Sequence, residues 1–302
     1  MVGVLGRTAG YLTRVVPWCM RTLRNPAVGV RAMLFAGLPG QLWLSSRTGR
    51  SLFRIRVESR DGALGVLMPG VGWLSVVPGG RPTLETRVRQ TLTLLFGVAT
   101  LDEYEATAFL RKGAIAIDAG ANVGAFSLLA SRLVGRDGGV FALEPVPENY
   151  RCLCSTLLEN GLSNVTPLGL AVGDTSGSLR LSLSDNSVGH SAVLERSDQH
   201  VEVPMVTLDN LCAEHGLDRL DFIKIDVEGF EPEVLRGARE SIARFRPVIS
   251  AAAYHLPEHR ELLPALIHEM APDYDIRVAP AAPSLEVKCL AVPRERLSSP
   301  GA

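Results

Sequence analysis

Acidic residues are missing from the first part of this sequence. No Asp or Glu precedes Glu58, whereas nine arginines fall before that residue. The rest of the chain balances this excess, and the formal net charge of the 302 residues is −1. A near-neutral total predicts no general attraction to nucleic acid or to a membrane.

Long apolar runs are also missing. The most apolar stretch, residues 28–44, contains Arg31 and is interrupted by Gly37, Pro39 and Gly40. A membrane-spanning helix needs about 20 consecutive apolar residues, so none is predicted. Arginines likewise interrupt any apolar core of a signal peptide, and a cytoplasmic protein is expected.

The cysteines lack the spacing of a metal site or a disulfide framework. Five are present, an odd number, without a CxxC pair and without a histidine at metal-ligand spacing. We therefore expect buried free thiols in a reducing compartment and no bound metal.

The chain divides into three parts by composition. Residues 1–50 form a basic leader, residues 51–99 a small extension of strands and a helix, and residues 100–295 the main domain. Arg7, Arg14 and Arg21 share one helical face of the leader, although Pro17 interrupts that helix. Such a segment suits peripheral contact with an anionic membrane, the alternative being a solvated face packed on the domain.

From Ala114 onward, short apolar strands alternate with helices. This rhythm predicts an α/β fold in which a mostly parallel sheet has helices on both faces. Two alternating segments, 178–183 and 201–206, predict an additional hairpin. In such folds ligands bind beyond the carboxyl ends of the strands, so the functional residues are expected there.

The first strand of the domain ends in a glycine-containing turn, Asp118-Ala-Gly-Ala-Asn-Val-Gly124. Gly120 and Gly124 allow a tight turn and close approach of a ligand to the backbone. Asn122 occupies the place of the second glycine of a dinucleotide-binding turn, against which a pyrophosphate packs. A ligand without a diphosphate is therefore favoured.

Carboxylates end two further strands. Glu144 follows the second strand, where a carboxylate can accept hydrogen bonds from both ribose hydroxyls of a nucleoside. In the segment 221–231, Lys224, Asp226 and Glu228 alternate, and we expect the lysine to pair with one of these two acids. The alternative is a purely structural ion pair.

Three motifs resemble the FkbM-type family of class I S-adenosylmethionine (SAM)-dependent methyltransferases. They are Ile117-Asp-Ala-Gly-Ala-Asn-Val-Gly124, Phe141-Ala-Leu-Glu-Pro-Val-Pro-Glu-Asn149 and Phe222-Ile-Lys-Ile-Asp-Val-Glu-Gly-Phe-Glu231, and Val206-Thr-Leu-Asp-Asn210 also fits. The resemblance covers about residues 85–275 and implies a Rossmann-like, seven-stranded sheet whose last strand is antiparallel. It also implies SAM as the cofactor and methyl transfer, usually to a hydroxyl oxygen.

Carried over by position, the resemblance assigns residues to the cofactor. Asp118, Gly120, Asn122 and Gly124 would line the methionine side of SAM, and Glu144 would hold its ribose. Ala171 and Asp174 would lie near the adenine edge.

Residues near the transferred methyl group are candidates for handling the acceptor proton. Asp226 and Glu228 come first, and His255, with Tyr254 beside it, follows the next strand. Lys224 is a candidate for orienting the acceptor, and His190, in a polar loop, for contacting it. For each histidine the alternative is an ordinary solvated loop residue.

The sequence therefore predicts a SAM-dependent O-methyltransferase acting on a sugar or glycan, a glycolipid or a secondary metabolite. An NAD-dependent oxidoreductase and a non-catalytic nucleotide-binding module are the alternatives. A nucleic-acid acceptor is not expected, since the domain has no basic, aromatic-rich patch.

Overall fold

The computed structural model describes residues 56–68, 70–78, 83–98, 102–184, 191–193, 198–281 and 286–297. The predicted basic leader and His190 lie outside these residues. The predicted division at residues 50 and 100 stays a prediction.

Helices and strands alternate through most of the described chain. The strands are β1 (Arg56–Arg60), β2 (Ala63–Met68), β3 (Gly72–Ser75), β4 (Ile115–Ala119), β5 (Gly139–Leu143), β6 (Val165–Leu168), β7 (Ala171–Val172), β8 (Gly177–Ser182), β9 (His200–Val206), β10 (Phe222–Ile225), β11 (Val248–Ala252), β12 (Tyr274–Pro280) and β13 (Val287–Pro293). The helices are α1 (Leu84–Gly97), α2 (Ala106–Phe109), α3 (Ala125–Val134), α4 (Pro147–Glu159), α5 (Leu208–Glu214), α6 (Glu231–Arg236), α7 (Arg239–Phe245), α8 (His259–Met270) and α9 (Arg294–Leu297).

The main sheet has seven strands in the order β12-β13-β11-β10-β4-β5-β6. Strands β11, β10, β4, β5 and β6 are parallel, whereas β13 is antiparallel to both of its neighbours. The predicted fold, including an antiparallel last strand, is confirmed. The carboxyl ends of β4, β5, β10 and β11 lie at one edge of this sheet, and the site residues follow these ends.

Two hydrophobic cores cover the two faces of the sheet. Helices α1, α3 and α4 contribute to one core, and α5, α6, α7 and α8 contribute to the other. Neighbouring residues of one strand enter opposite cores, as Ala116 and Ile117 do in β4, because side chains alternate along a strand. This double coverage explains why the strands are almost wholly apolar.

The extension before the main domain forms an antiparallel sheet in the order β1-β2-β3. Strand β2 was not anticipated. Trp73 of β3 is fully buried, and its backbone N–H donates to Asn160 Oδ1 at the end of α4, 2.9 Å away. The extension thus packs against α4 and shares a core with the domain.

Two elements predicted as continuous are each divided. The sequence pattern predicts one helix over residues 231–245, but this segment forms α6 and α7, which are separated around Gly237. The pattern of residues 165–172 predicts one strand, but this segment forms β6 and β7. A Cβ on Gly237 would lie 2.0 Å from the backbone oxygen of Gly173, which follows β7. This close approach of the two backbones tolerates no side chain at Gly237. The predicted hairpin is confirmed as the antiparallel pair β8 and β9.

None of the helices in the described ranges is both long and apolar enough to cross a membrane. The four cysteines within those ranges are free thiols, of which Cys152, Cys212 and Cys289 are buried as predicted and Cys154 is partly exposed.

Candidate active site

The turn after β4 is tied to the end of β5 by Glu144. The backbone N–H of Asn122 donates to Glu144 Oε2, and that of Val146 donates to Glu144 Oε1, both at 2.9 Å. Asn122 adopts a positive φ of 51° within this turn. Its side-chain oxygen accepts from the N–H of Val123 at 2.9 Å, which fixes the turn from inside.

The two glycines of the turn are required by protein packing. Gly120 has a φ of 79°, and a Cβ there would lie 1.9 Å from the backbone oxygen of Asp226. Gly124 has a φ of 94°, and a Cβ there would lie 2.9 Å from Leu153 of α4. The sequence suggested close approach of a ligand, whereas the structure shows that neighbouring segments already demand glycine at both positions.

Glu144 is a buried carboxyl group. Burial raises its pKa to about 7, although the two backbone N–H donors and the charge of Lys224 act in the opposite direction. A carboxylate has about four acceptor positions, so its oxygens can accept further hydrogen bonds besides those within the protein.

Lys224 of β10 forms a buried ion pair with Asp118 of β4. Its Nζ lies 3.0 Å from Asp118 Oδ1 and donates to the backbone oxygen of Gly120 at 2.5 Å. Burial alone would lower the pKa of Lys224, but the carboxylates of Asp118 and Asp226 outweigh it and raise the pKa. The prediction that Lys224 pairs with Asp226 or Glu228 was wrong, because the register of the sheet places Asp118 directly beside it.

Asp118 is itself completely buried. Its second oxygen accepts from the hydroxyl of Ser127 in α3 at 2.7 Å. Both oxygens therefore have protein partners, and the assignment of Asp118 to the cofactor stays a prediction.

Asp226, immediately after β10, is the centre of a second group of polar side chains. The hydroxyl of Tyr104 donates to Oδ2 at 2.5 Å, and that of Tyr254 to Oδ1 at 3.2 Å. Burial would raise the pKa of Asp226, but Lys224, Lys288 and His255 lower it to about 2. Asp226 is therefore ionised throughout the neutral range.

His255 lies between three carboxylates. Its Nδ1 is 2.9 Å from Glu231 Oε1, while its Nε2 is 3.3 Å from Glu228 Oε2 and 3.5 Å from Asp226 Oδ1. Burial would lower the pKa of His255, but the bond with Glu231 and the surrounding negative charge raise it to about 9.

Glu231, the first residue of α6, contacts both histidines of this group and the backbone of the turn after β10. Its Oε1 accepts from the N–H groups of Val227 and Gly229 at 2.9 and 3.3 Å, and its Oε2 lies 3.1 Å from His259 Nδ1. Because the side chain of Glu231 is fully buried, it fixes the turn after β10 and the ring of His255 as one unit.

Lys288 of β13 lies beside the two tyrosines that contact Asp226. Its ammonium group lies 4.4 and 4.6 Å from the ring centres of Tyr104 and Tyr254, and 3.2 Å from Glu286 Oε2. Nearby Glu103 is buried, which raises its pKa to about 7.

The structure thus brings most of the predicted residues to one edge of the sheet. Glu228 adopts a positive φ of 56°, and its backbone oxygen accepts from the hydroxyl of Ser191 at 2.6 Å. Ala171 is buried in a small core with Val146, two residues beyond Glu144. Asp174 is exposed and lies beside Gly237 at the end of α6.

Four residues of this edge were not among the predicted site residues: Tyr104, Glu231, His259 and Lys288. Sequence features could have indicated two of them as site residues. Glu231 ends the third motif, and His259 follows His255 at the spacing of one helical turn. Lysine occurs at only three positions, and two of these, Lys224 and Lys288, are buried at this site. Tyr104 had no signal.

Comparison with known proteins decides the family. The methyltransferase FkbM domain matches residues 118–274, which is more than half of the chain. The chain belongs to the methyltransferase FkbM domain family. This membership confirms the family resemblance that the three motifs predicted.

Two curated relatives are fungal methyltransferases. Methyltransferase sdnD of Sordaria araneosa is 31% identical over 156 residues, covering 41% of this chain and 60% of that protein. Methyltransferase 1 of Beauveria bassiana (strain ARSEF 2860) is 27% identical over 142 residues, covering 40% and 57%. The chain therefore matches about 60% of the length of these relatives.

Two solved structures are among those similar to this chain. Methyltransferase FkbM from Methylobacillus flagellatus KT has a TM-score of 0.46 and 21% identity, covering 68% of this chain and 54% of that one. Aeropyrum pernix fibrillarin, solved with natively bound S-adenosyl-L-methionine, has a TM-score of 0.38 and 15% identity, covering 79% and 99%.

Proposed function

We propose that this FkbM-family protein transfers the methyl group of SAM to a hydroxyl oxygen of a sugar or glycan, a glycolipid or a secondary metabolite. One observation carries the proposal. The turn at Gly120 touches the backbone of Asp226, so a cofactor bound at the turn lies next to the polar residues around Asp226.

The residues of the turn fit the nucleoside part of SAM. The carboxylate of Glu144 has acceptor positions left for ribose hydroxyls, and the N-terminus of α3 follows the turn directly. Asn122, Gly120 and Gly124 would shape the methionine side. Asp118 and Lys224 would not contact the cofactor directly. Their ion pair would fix the position of the turn, because Lys224 also donates to the backbone oxygen of Gly120.

The acceptor side is suited to holding a hydroxyl group. Bound SAM supplies a methyl group on a positively charged sulfur, and the protein must align the acceptor oxygen with it and accommodate its proton. The carboxylate of Asp226, which stays ionised, and the carboxylate of Glu228 are the groups suited to accept a hydrogen bond from the hydroxyl. His255 and Tyr254 complete the wall beside them.

The cofactor half of the proposal is tested by titrating S-adenosylhomocysteine (SAH) into the wild type and into Glu144→Gln and Glu144→Ala. Two charge-assisted hydrogen bonds to ribose are each worth about 1.5–3 kcal/mol, so we expect Glu144→Ala to weaken binding by at least about tenfold. The affinity for SAH of Glu144→Gln, in which one acceptor oxygen is kept, is expected to lie between those of the wild type and Glu144→Ala. Isothermal titration calorimetry measures the dissociation constants.

Glu148→Ala is the matched control, because Glu148 is an exposed glutamate in the first turn of the helix that follows Glu144. Its affinity for SAH is expected to equal that of the wild type. Unchanged binding in a folded Glu144→Ala protein would remove the ribose contact from the proposal.

The affinity for SAH is also expected to depend on pH. The pKa of Glu144 is raised to about 7, so its carboxyl group is mostly protonated at pH 6 and mostly ionised at pH 8. If only the ionised form binds ribose well, affinity rises about tenfold from pH 6 to pH 8. Titrations at both values test this, and a Glu144→Gln protein that shows the same rise would assign it to another group.

The acceptor is identified by incubating the protein with methyl-labelled SAM and a panel of sugars, glycolipids and polyhydroxylated metabolites. Label found on oxygen in any of them supports the proposal. Label found only on nitrogen or carbon would refute O-methylation while leaving the family assignment intact.

A further inference from the structure

The polar residues around His255 contain an arrangement that the methyltransferase assignment does not explain. Asp226, Glu231 and His255 each present a potential metal-ligand atom, and these atoms lie within 4.8 Å of one another. The three residues come from the turn after β10, the start of α6 and the segment after β11.

The Nε2 atom of His255 is the decisive feature. The side chain is only 4% exposed, and among the described residues Nε2 makes no hydrogen bond. It nevertheless points between two carboxylates, with Glu228 Oε2 at 3.3 Å and Asp226 Oδ1 at 3.5 Å. A buried polar atom without a hydrogen bond calls for an explanation, and an ion is one of the few available.

The distances from Nε2 to the two carboxylates are also compatible with ligand atoms that share one cation. Neighbouring ligand atoms around a cation, each about 2.1 Å from it, lie roughly 3.0–3.4 Å apart. Both separations from Nε2 are close to that range, and both are longer than a usual N–H···O distance of about 2.9 Å.

The remaining contacts resemble the outer shell of a metal site. Glu231 binds the opposite nitrogen of the ring, Nδ1, and is itself held by two backbone N–H groups. Such a carboxylate fixes the orientation of a ligating imidazole and leaves Nε2 for the metal. The hydroxyls of Tyr104 and Tyr254 orient the carboxylate of Asp226 in the same way.

We propose that Asp226, Glu228 and His255 Nε2 bind a divalent first-row transition-metal cation, with Glu231 as the residue that positions His255. Two carboxylates and one imidazole suit Mn²⁺ and its neighbours more than Mg²⁺, which prefers oxygen ligands alone. A cation there would lie where the acceptor hydroxyl is expected, and it would hold that oxygen beside the methyl group. This role rests on the proposed O-methylation, whereas the binding itself does not.

The test uses Mn²⁺ added to the full-length protein after dialysis against a chelator. Electron paramagnetic resonance follows the loss of the free Mn²⁺ signal, and electron spin-echo modulation detects nitrogen coupled to the bound ion. We expect saturable binding with coupling to one imidazole nitrogen. Absence of binding, or binding without nitrogen coupling, would overturn the proposal without relying on any variant.

Variants then assign the ligands. His255→Ala and Asp226→Asn are expected to abolish saturable binding, and Glu231→Gln to weaken it about 10- to 100-fold. His268→Ala, which removes an exposed histidine near the end of α8, is the control and should bind as the wild type does. Retained binding with nitrogen coupling in a folded His255→Ala protein would refute the assignment.

SAH is titrated into the same preparations. Loss of Mn²⁺ binding with normal SAH binding would reject the metal site alone. Normal Mn²⁺ binding without SAH binding would reject the cofactor site and leave the metal site standing.

Discussion

Replacing Lys224 with Met is expected to lower the free energy of unfolding by about 3–5 kcal/mol. The side chain of Asp118 is 0% exposed, and Lys224 is its only cationic partner among the described residues. Its loss would leave a buried carboxylate whose remaining partner is the hydroxyl of Ser127. Urea unfolding followed by circular dichroism measures the change.

The double variant Lys224→Met/Asp118→Asn provides the decisive comparison. It removes both charges together and keeps a group that can bond Ser127, so we expect it to recover most of the lost stability. Lys112→Met is the control, because Lys112 is exposed and its Nζ donates to the backbone oxygen of Arg132 at 2.9 Å rather than to a buried carboxylate. A double variant no more stable than Lys224→Met would show that the ion pair is not what Lys224 contributes.

Asp226→Asn is expected to give the largest kinetic effect. The change removes the negative charge that faces His255 and that accepts the hydroxyls of Tyr104 and Tyr254. Groups that handle a proton in the transition state contribute about 10²- to 10⁴-fold, so we expect kcat to fall by a factor in that range. The measurement is the rate of label transfer from SAM to the acceptor found in the screen.

SAH binding separates this effect from a general loss of the site. SAH has no sulfonium charge, and the proposed site places it against the turn and Glu144, so its affinity for Asp226→Asn should stay within about threefold of the wild type. Asp275→Asn, an exposed aspartate in β12, is the matched control and should leave kcat unchanged. A folded Asp226→Asn protein with wild-type kcat would exclude Asp226 from the chemistry.

Local patterns were sufficient to predict the fold and the strand ends at which the candidate site residues lie. Apolar spacing and end residues predict helices over residues 147–159 and 208–214, and α4 and α5 have these bounds because both signals lie within one segment. Glu144 and Asp226 follow strand ends in the structure as in the sequence. The carboxyl ends of parallel strands necessarily meet at one edge, so their convergence needed no knowledge of the packing.

Partners across segments could not be predicted in this way. Lys224 has Asp226 and Glu228 nearby in the sequence, but the register between β10 and β4 places Asp118 beside it. Tyr104 and Lys288, 184 positions apart, meet over Asp226 only because β13 runs antiparallel into the sheet.

By itself, the sequence determined the family, the alternation of strands and helices from Ala114 onward, and the three carboxylate-bearing strand ends. Periodicity and end residues act over a few positions, and such information survives without the fold. Only the tertiary structure decided which charges pair, that Gly120 and Gly124 are required by packing, and that Glu231 directs His255 Nε2 toward Asp226 and Glu228. These depend on register and on side-chain contacts between segments far apart in the chain, which no local pattern encodes.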